Sequence, residues 1–103
     1  MNVRWLPPAQ QQRKEMARYI SREFGKKAVE KFSQNINQWV RTIACNPGIG
    51  FKEPLLEKHP EGFRSVVVHR NCKLVYYVTA KAVYIAALWD TRREPVRQAG
   101  TLR

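Results

Sequence analysis

Two spacings of apolar residues follow one another along this chain. Between residues 29 and 43 they recur every three or four positions, at Val29, Phe32, Ile36, Trp39, Val40 and Ile43. That is the stripe of an amphipathic helix. From residue 63 on, FRSVVVHRNCKLVYYVTAKAVYIAALWDTRR carries short β-branched and aromatic runs at 66–68, 74–78 and 83–85, which read as strands. The connections between these runs are too short for anything but antiparallel hairpins.

With turns at Asn71-Cys72 and Ala80-Lys81, Val68 faces Val75, Val66 faces Tyr77, Arg64 faces Thr79, and Tyr77 faces Tyr84. Alternation then divides the side chains between two faces. One carries Arg64, Val66, Val68, Arg70, Lys73, Val75, Tyr77, Tyr84, Ala86, Leu88 and Asp90, and is expected to be an open working face. The other carries Phe63, Val67, Leu74, Tyr76, Val78, Val83, Ile85, Ala87 and Trp89, and is the expected core. Asn-Cys lacks the glycine a type I′ turn prefers, and a slip of one residue would exchange the faces.

The first half supplies the other layer. Residues 2–6 read as a short edge strand, stopped by Pro7-Pro8. Residues 9–24 read as a helix with Ala9, Met16, Ile20 and Phe24 near one face, ended by Gly25. The second helix spans 27–45 and stops at Asn46-Pro47, so the two form an αα-hairpin. Residues 47–62 are rich in turn-formers and read as a loop. The order β-α-α-β-β-β predicts an α+β fold, an antiparallel sheet with an N-terminal helical hairpin packed on one face. One domain is expected over residues 1–93, followed by a loose basic tail at 94–103 that a partner would order.

Charge narrows the partners. Lys and Arg number 19 against 8 acids, a net +11 over 103 residues. Such a field favours polyanions or an acidic protein over a small acidic metabolite. No apolar run is long enough to span a bilayer and no signal peptide is evident, so a cytoplasmic protein without a membrane partner is expected. Cys45 and Cys72 lack ligand spacing and read as reduced thiols.

Most catalytic constellations are missing from the pattern. His59 and His69 stand in no metal-ligand spacing, so no metal or cofactor is expected. Ser33 and Ser65 have no nucleophile elbow. Gly48-Ile49-Gly50 is neither a dinucleotide fingerprint nor a phosphate loop. What remains is a set of cations with tyrosine: Arg64, Arg70, Lys73 and Tyr77, joined by Arg92 if the last strand stays extended. Arginine fits phosphate bidentately and stays charged, and tyrosine stacks on bases. His69 falls on the core side, as a structural histidine.

Several blocks resemble the RelE/ParE superfamily of toxins from bacterial type II toxin–antitoxin systems: WLPPAQQQ, FGKKAVEKF, NPGIG, FRSVVVHRNCKLVYYV and YIAALWDTRREP. The resemblance covers nearly the whole chain, and the last two blocks are the most specific. It implies a small growth-inhibiting toxin neutralised by a cognate antitoxin. RelE-like members cut messenger RNA in the ribosomal A site, and ParE-like members inhibit DNA gyrase without nuclease activity. Carried over from RelE-like members, the catalytic set is Arg64, Lys73 and Arg92. Arg70, Tyr77 and Arg93 are expected beside it as substrate-binding residues. Val66 stands where a proton-transferring lysine would be, and no tyrosine follows Thr91-Arg92-Arg93. The expected activity is metal-independent, ribosome-dependent messenger cleavage. Gyrase inhibition and a basic RNA-binding module outside any toxin pair are the alternatives, and a homodimer is left open.

Overall fold

A computed structural model describes residues 1–93; the tail expected at 94–103 lies outside the described residues. Strand β1 (Asn2–Trp5) leads into helix α1 (Pro7–Phe24), then helix α2 (Lys26–Cys45). A two-residue strand β2 (Phe51–Lys52) follows, then β3 (Arg64–His69), β4 (Cys72–Val78) and β5 (Ala82–Asp90).

Helix α1 starts two residues before the expected position, because Pro7 and Pro8 occupy its first turn, where their missing N–H groups are not needed. Gly25 joins the helices at φ +92°, a conformation that side-chain-bearing residues rarely adopt. Its N–H caps α1 by donating to Ser21 O at 3.0 Å. The hairpin buries Ala9, Met16 and Ile20 from α1 with Phe32, Ile36 and Ile43 from α2. Trp39 and Val40 pack at the margin of the same cluster.

The sheet runs in the order β1-β5-β4-β3-β2. The α+β architecture is as expected, but the sheet is mixed: β1 lies parallel to β5, with Val3 opposite Val83 and Trp5 opposite Ile85. The helical hairpin carries the chain over one face, a crossover of the kind parallel neighbours require.

The register of the meander departs from the hand pairing. Arg64 faces Tyr76 and Val66 faces Leu74, three residues from the expected partners. Strand β3 then bulges between Val67 and His69, leaving His69 opposite Cys72. Between β4 and β5, Tyr77 does face Tyr84, but a bulge separates the pairs Tyr76–Ile85 and Val75–Ala87. Each bulge adds one residue to one strand and reverses the alternation beyond it. Val66, Val68 and Leu88 therefore join the helix-side core with Leu74, Tyr76, Val83 and Ile85. Ala87 and Trp89 leave it for the opposite face, and Val67 is 67% exposed.

That opposite face is no open platform. Leu56, Phe63, Val75, Ala86, Ala87 and Trp89 make a second buried cluster there. The expected loop at 47–62 contains 3₁₀ turns at Pro47–Ile49 and Pro54–Leu56 as well as β2. Its first turn is clasped by Tyr76, whose hydroxyl donates to Pro47 O at 2.7 Å and accepts from Gly50 N at 2.9 Å.

Cys45 is exposed, Cys72 is buried, and both are free thiols. Burial, with Asp90 adding to it, pushes the Cys72 thiol up to about 12. No helix among the described residues is long and apolar enough to cross a membrane.

Candidate docking site for an anionic partner

The three residues carried over as catalytic are held in three different settings. Arg64 follows the face of Val66 and lies on the helix side, where its Nη1 donates to Gly48 O at 3.2 Å and Gly50 O at 2.8 Å. It is a clasp on the loop after α2. Lys73 stays on the far face as expected, but its Nζ is bound to both carboxylate oxygens of Glu53, one of them at 2.9 Å. Glu53 is 2% exposed and also accepts from Ser65 Oγ at 3.2 Å. The Lys73 ammonium lies 5.2 Å from the ring centroid of Trp89. Arg92 sits at the end of β5, its Nε 2.9 Å from Asp90 Oδ1 and its Nη2 2.6 Å from Asp90 Oδ2.

Tyr77 stacks face to face on Tyr84, 5.2 Å between centroids and 19° between planes. Phe63 meets it edge-on at 5.4 Å, so its rings are committed within the second cluster.

Arg70, Arg92 and Arg93 do gather, at the end of the molecule where the β3–β4 turn meets the close of α1. The Arg92 guanidinium carbon is 3.7 Å from the ring centroid of Tyr19, and that of Arg70 is 4.7 Å from Phe24. Tyr19 and Phe24 touch edge to face at 6.0 Å, so the two guanidinium groups ride on adjoining rings. Asn71 Nδ2 donates to the Tyr19 hydroxyl at 3.2 Å and fixes that ring. Arg93 approaches Asp90 at 3.9 Å with its side chain largely exposed.

Stacking holds a guanidinium plane while leaving outward N–H edges for an anion. Asp90 neutralises part of this charge, and hydrogen bonding from Arg92 holds its carboxyl below the usual carboxylate range. Beside Arg70, a cleft of about 350 Å³ opens between α2 and the hairpin, lined by Phe24, Lys31, Phe32, Asn35 and His69 among others. His69 accepts the Asn71 N–H on Nδ1 at 3.1 Å, which places the proton of the neutral ring on Nε2. Burial, then the charge of Arg70, lowers its pKa. The ring lies against Phe32 and Phe24, on the core side as expected.

Sequence reasoning missed Tyr19, Phe24 and Glu53 as members of these constellations. Tyr19 lies off the apolar stripe of α1 and Phe24 reads as part of it. Glu53 lies in a segment with no periodicity, and only the fold of that segment over the sheet reveals its burial.

Solved structures of similar shape are toxins. The chromosomal ParDE system of P. aeruginosa matches with a TM-score of 0.67 at 18% identity, covering 87% of this chain and 95% of that one. A YoeB/ParE toxin from Agrobacterium tumefaciens matches at 0.60 and 17% identity, covering 87% and 98%. The YoeB dimer of Staphylococcus aureus matches at 0.56 and 24% identity, covering 84% and 92%. At these identities the likeness is one of fold. No functionally characterised protein matches the chain closely in sequence. A family model does: the ParE toxin of the type II toxin–antitoxin system parDE covers residues 3–95, and this chain belongs to that family.

Proposed function

We propose that this toxin inhibits its target by docking on it, as ParE-like members do on DNA gyrase, and that a cognate acidic antitoxin blocks the docking surface. The observation that carries this reading is the dispersal of the expected catalytic set. Arg64 clasps a loop, Lys73 neutralises a buried carboxylate on the opposite face, and Arg92 stands on Tyr19. A phosphoryl-transfer site needs its cations and proton carriers around one reacting atom. Arg70, Arg92 and Arg93 instead form a rigid cationic surface, suited to holding an anionic partner and doing no chemistry. The net +11 suits both an acidic antitoxin and a target bound to nucleic acid.

The test is two assays on the purified chain. Supercoiling by gyrase should be inhibited, messenger on translating ribosomes should stay intact, and Arg70→Ala with Arg92→Ala should release the inhibition. Messenger cut at codon-phased positions, with supercoiling unaffected, overturns the proposal.

A second reading, ribosome-dependent cleavage, draws support from one contact. Glu53 and Lys73 place a carboxylate against an ammonium, a pair able to move a proton and steady a phosphate. On that reading Glu53→Gln abolishes cutting while the variant still folds.

A further inference from the structure

Helix α1 carries the cations Arg13, Lys14, Arg18 and Arg22, and among the described residues none of them pairs with a carboxylate. Glu15, the acid beside Lys14 in the chain, is held by Gln11 instead, with Nε2 3.2 Å from Oε1. Lys14, Arg18 and Arg22 are exposed and succeed one another at four-residue steps, about 6 Å apart along the helix axis. Like charges at that spacing repel and weaken a helix. An external polyanion relieves the repulsion.

Arg13 is set differently. Its guanidinium carbon lies 5.1 Å from the ring centroid of Trp5, and burial lowers its pKa. A cation drawn partly out of water without a counter-charge is costly. Trp5 packs at the margin of the main core and stands opposite Ile85 in the sheet, so the indole is a fixed support. Beside it a recess of about 520 Å³ opens between β1 and α1, lined by Trp5, Gln10, Arg13, Lys14 and Ala17. Small Ala17 keeps one wall low, and the exposed Gln10 amide adds a neutral donor to the two cations.

We infer that this side of α1 binds the phosphodiester backbone of duplex DNA, with one phosphate seated in the recess on Arg13, Lys14 and Gln10 and others along Arg18 and Arg22. The inference rests on the reading of this chain as a toxin that docks on gyrase, and it names the DNA held by that target as a second contact. A guanidinium stacked on a ring offers its N–H edges to phosphate in a fixed orientation. Single-stranded nucleic acid is a poorer occupant, because no row of exposed aromatic rings accompanies these cations for bases to stack on. An anionic bilayer is poorer still, since the apolar side of α1, with Ala9, Met16 and Ile20, is buried in the core.

The test measures binding of the full chain to a short DNA duplex by fluorescence anisotropy over a range of salt concentrations. Neutralising about four phosphates gives a slope of log K against log salt of about −3.6. Arg13→Gln should weaken binding at least fivefold at low salt and flatten the slope by about 0.9. Lys14→Gln and Arg18→Gln, at exposed side chains, should each do the same and keep the test open should Arg13→Gln not fold. Lys81→Gln, at an exposed cation in the β4–β5 turn, should leave the slope unchanged. A single strand of the same sequence and phosphatidylglycerol vesicles should each bind at least tenfold more weakly than the duplex. No duplex binding, or a slope that the α1 variants leave unchanged, overturns the inference. So does an equal loss in Lys81→Gln, which would make binding a matter of net charge alone. Tighter binding to the single strand or the vesicles assigns the helix to those partners and overturns it as well. Gyrase takes no part in this measurement, so duplex binding can fail while the inhibition released by Arg70→Ala with Arg92→Ala stands, and the reverse.

Discussion

Arg92 and Tyr19 meet face on, with the guanidinium carbon 3.7 Å from the ring centroid, while Asp90 grips the same guanidinium from the side. The contact joins the end of the last strand to the first helix and presents a cation at a fixed angle. Lysine at this position keeps the charge but loses both the fork and the flat stack. Arg92→Lys is expected to lower target inhibition at least tenfold and leave the melting temperature unchanged within error. Equal inhibition by the lysine variant would show that charge alone matters there.

Lys73 is the counter-charge of a carboxylate that is 2% exposed. Lys73→Met keeps the stem over Trp89 and strips Glu53 of its partner. Breaking a buried pair on one side should cost about 3 kcal/mol, measured by urea unfolding. Adding Glu53→Gln to the same chain should recover most of that loss. A double variant no more stable than Lys73→Met would mean that Glu53 is not the source of the cost.

The Tyr76 hydroxyl, with the Arg64 guanidinium, links the sheet to the turn after α2. Tyr76→Phe removes bonds to Pro47 O and Gly50 N and should destabilise the chain by about 1–3 kcal/mol. Gly50→Ala should act in the same direction for a different reason. A Cβ there would sit 2.7 Å from the Tyr76 hydroxyl oxygen and 3.0 Å from Ser65 O. Urea midpoints of the two variants check both expectations.

Two groups contribute to the acid limb of stability in separate windows. Burial and Arg70 lower the pKa of His69, so the unfolded chain binds its proton at higher pH than the folded one. Stability should therefore begin to fall as pH drops below about 6.5, the ordinary histidine value, and level off below the folded pKa. The His69 ring resonances should titrate with a midpoint below that value. Asp90 is depressed by hydrogen bonding from Arg92, so its contribution is present above the ordinary aspartate pKa and is lost as pH falls through the folded one. Asp90→Asn should flatten the lower window and leave the histidine window in place.

The helices were legible to within two residues because their signals are local. An apolar stripe at helical spacing, prolines at the start and a glycine between them act within a few residues of one another. Tyr76, Leu74, Val83 and Ile85 were rightly assigned to the core for the same reason. Val66, Val68, Leu88 and Arg64 were assigned to the wrong face, since their place depends on how many residues separate them from a partner strand. No run of valines states whether one of its members will be skipped. Of the cations that alternation groups on one open face with Tyr77, Arg70 and Arg92 lie on adjoining rings at the close of α1, whereas Arg64 and Lys73 are spent on intramolecular contacts made by residues 48–53.

From the sequence alone follow the first strand, the two helices and the three long strands in their order, the strong positive charge and the likeness to a toxin family. Each depends on residue type and short-range spacing. Tertiary structure decided the parallel placement of β1, the two bulges, the burial of the second sheet face and the seating of Arg92 on Tyr19. Those outcomes belong to contacts between residues far apart in the chain, where packing and backbone hydrogen bonding choose one register from several that local pattern permits equally.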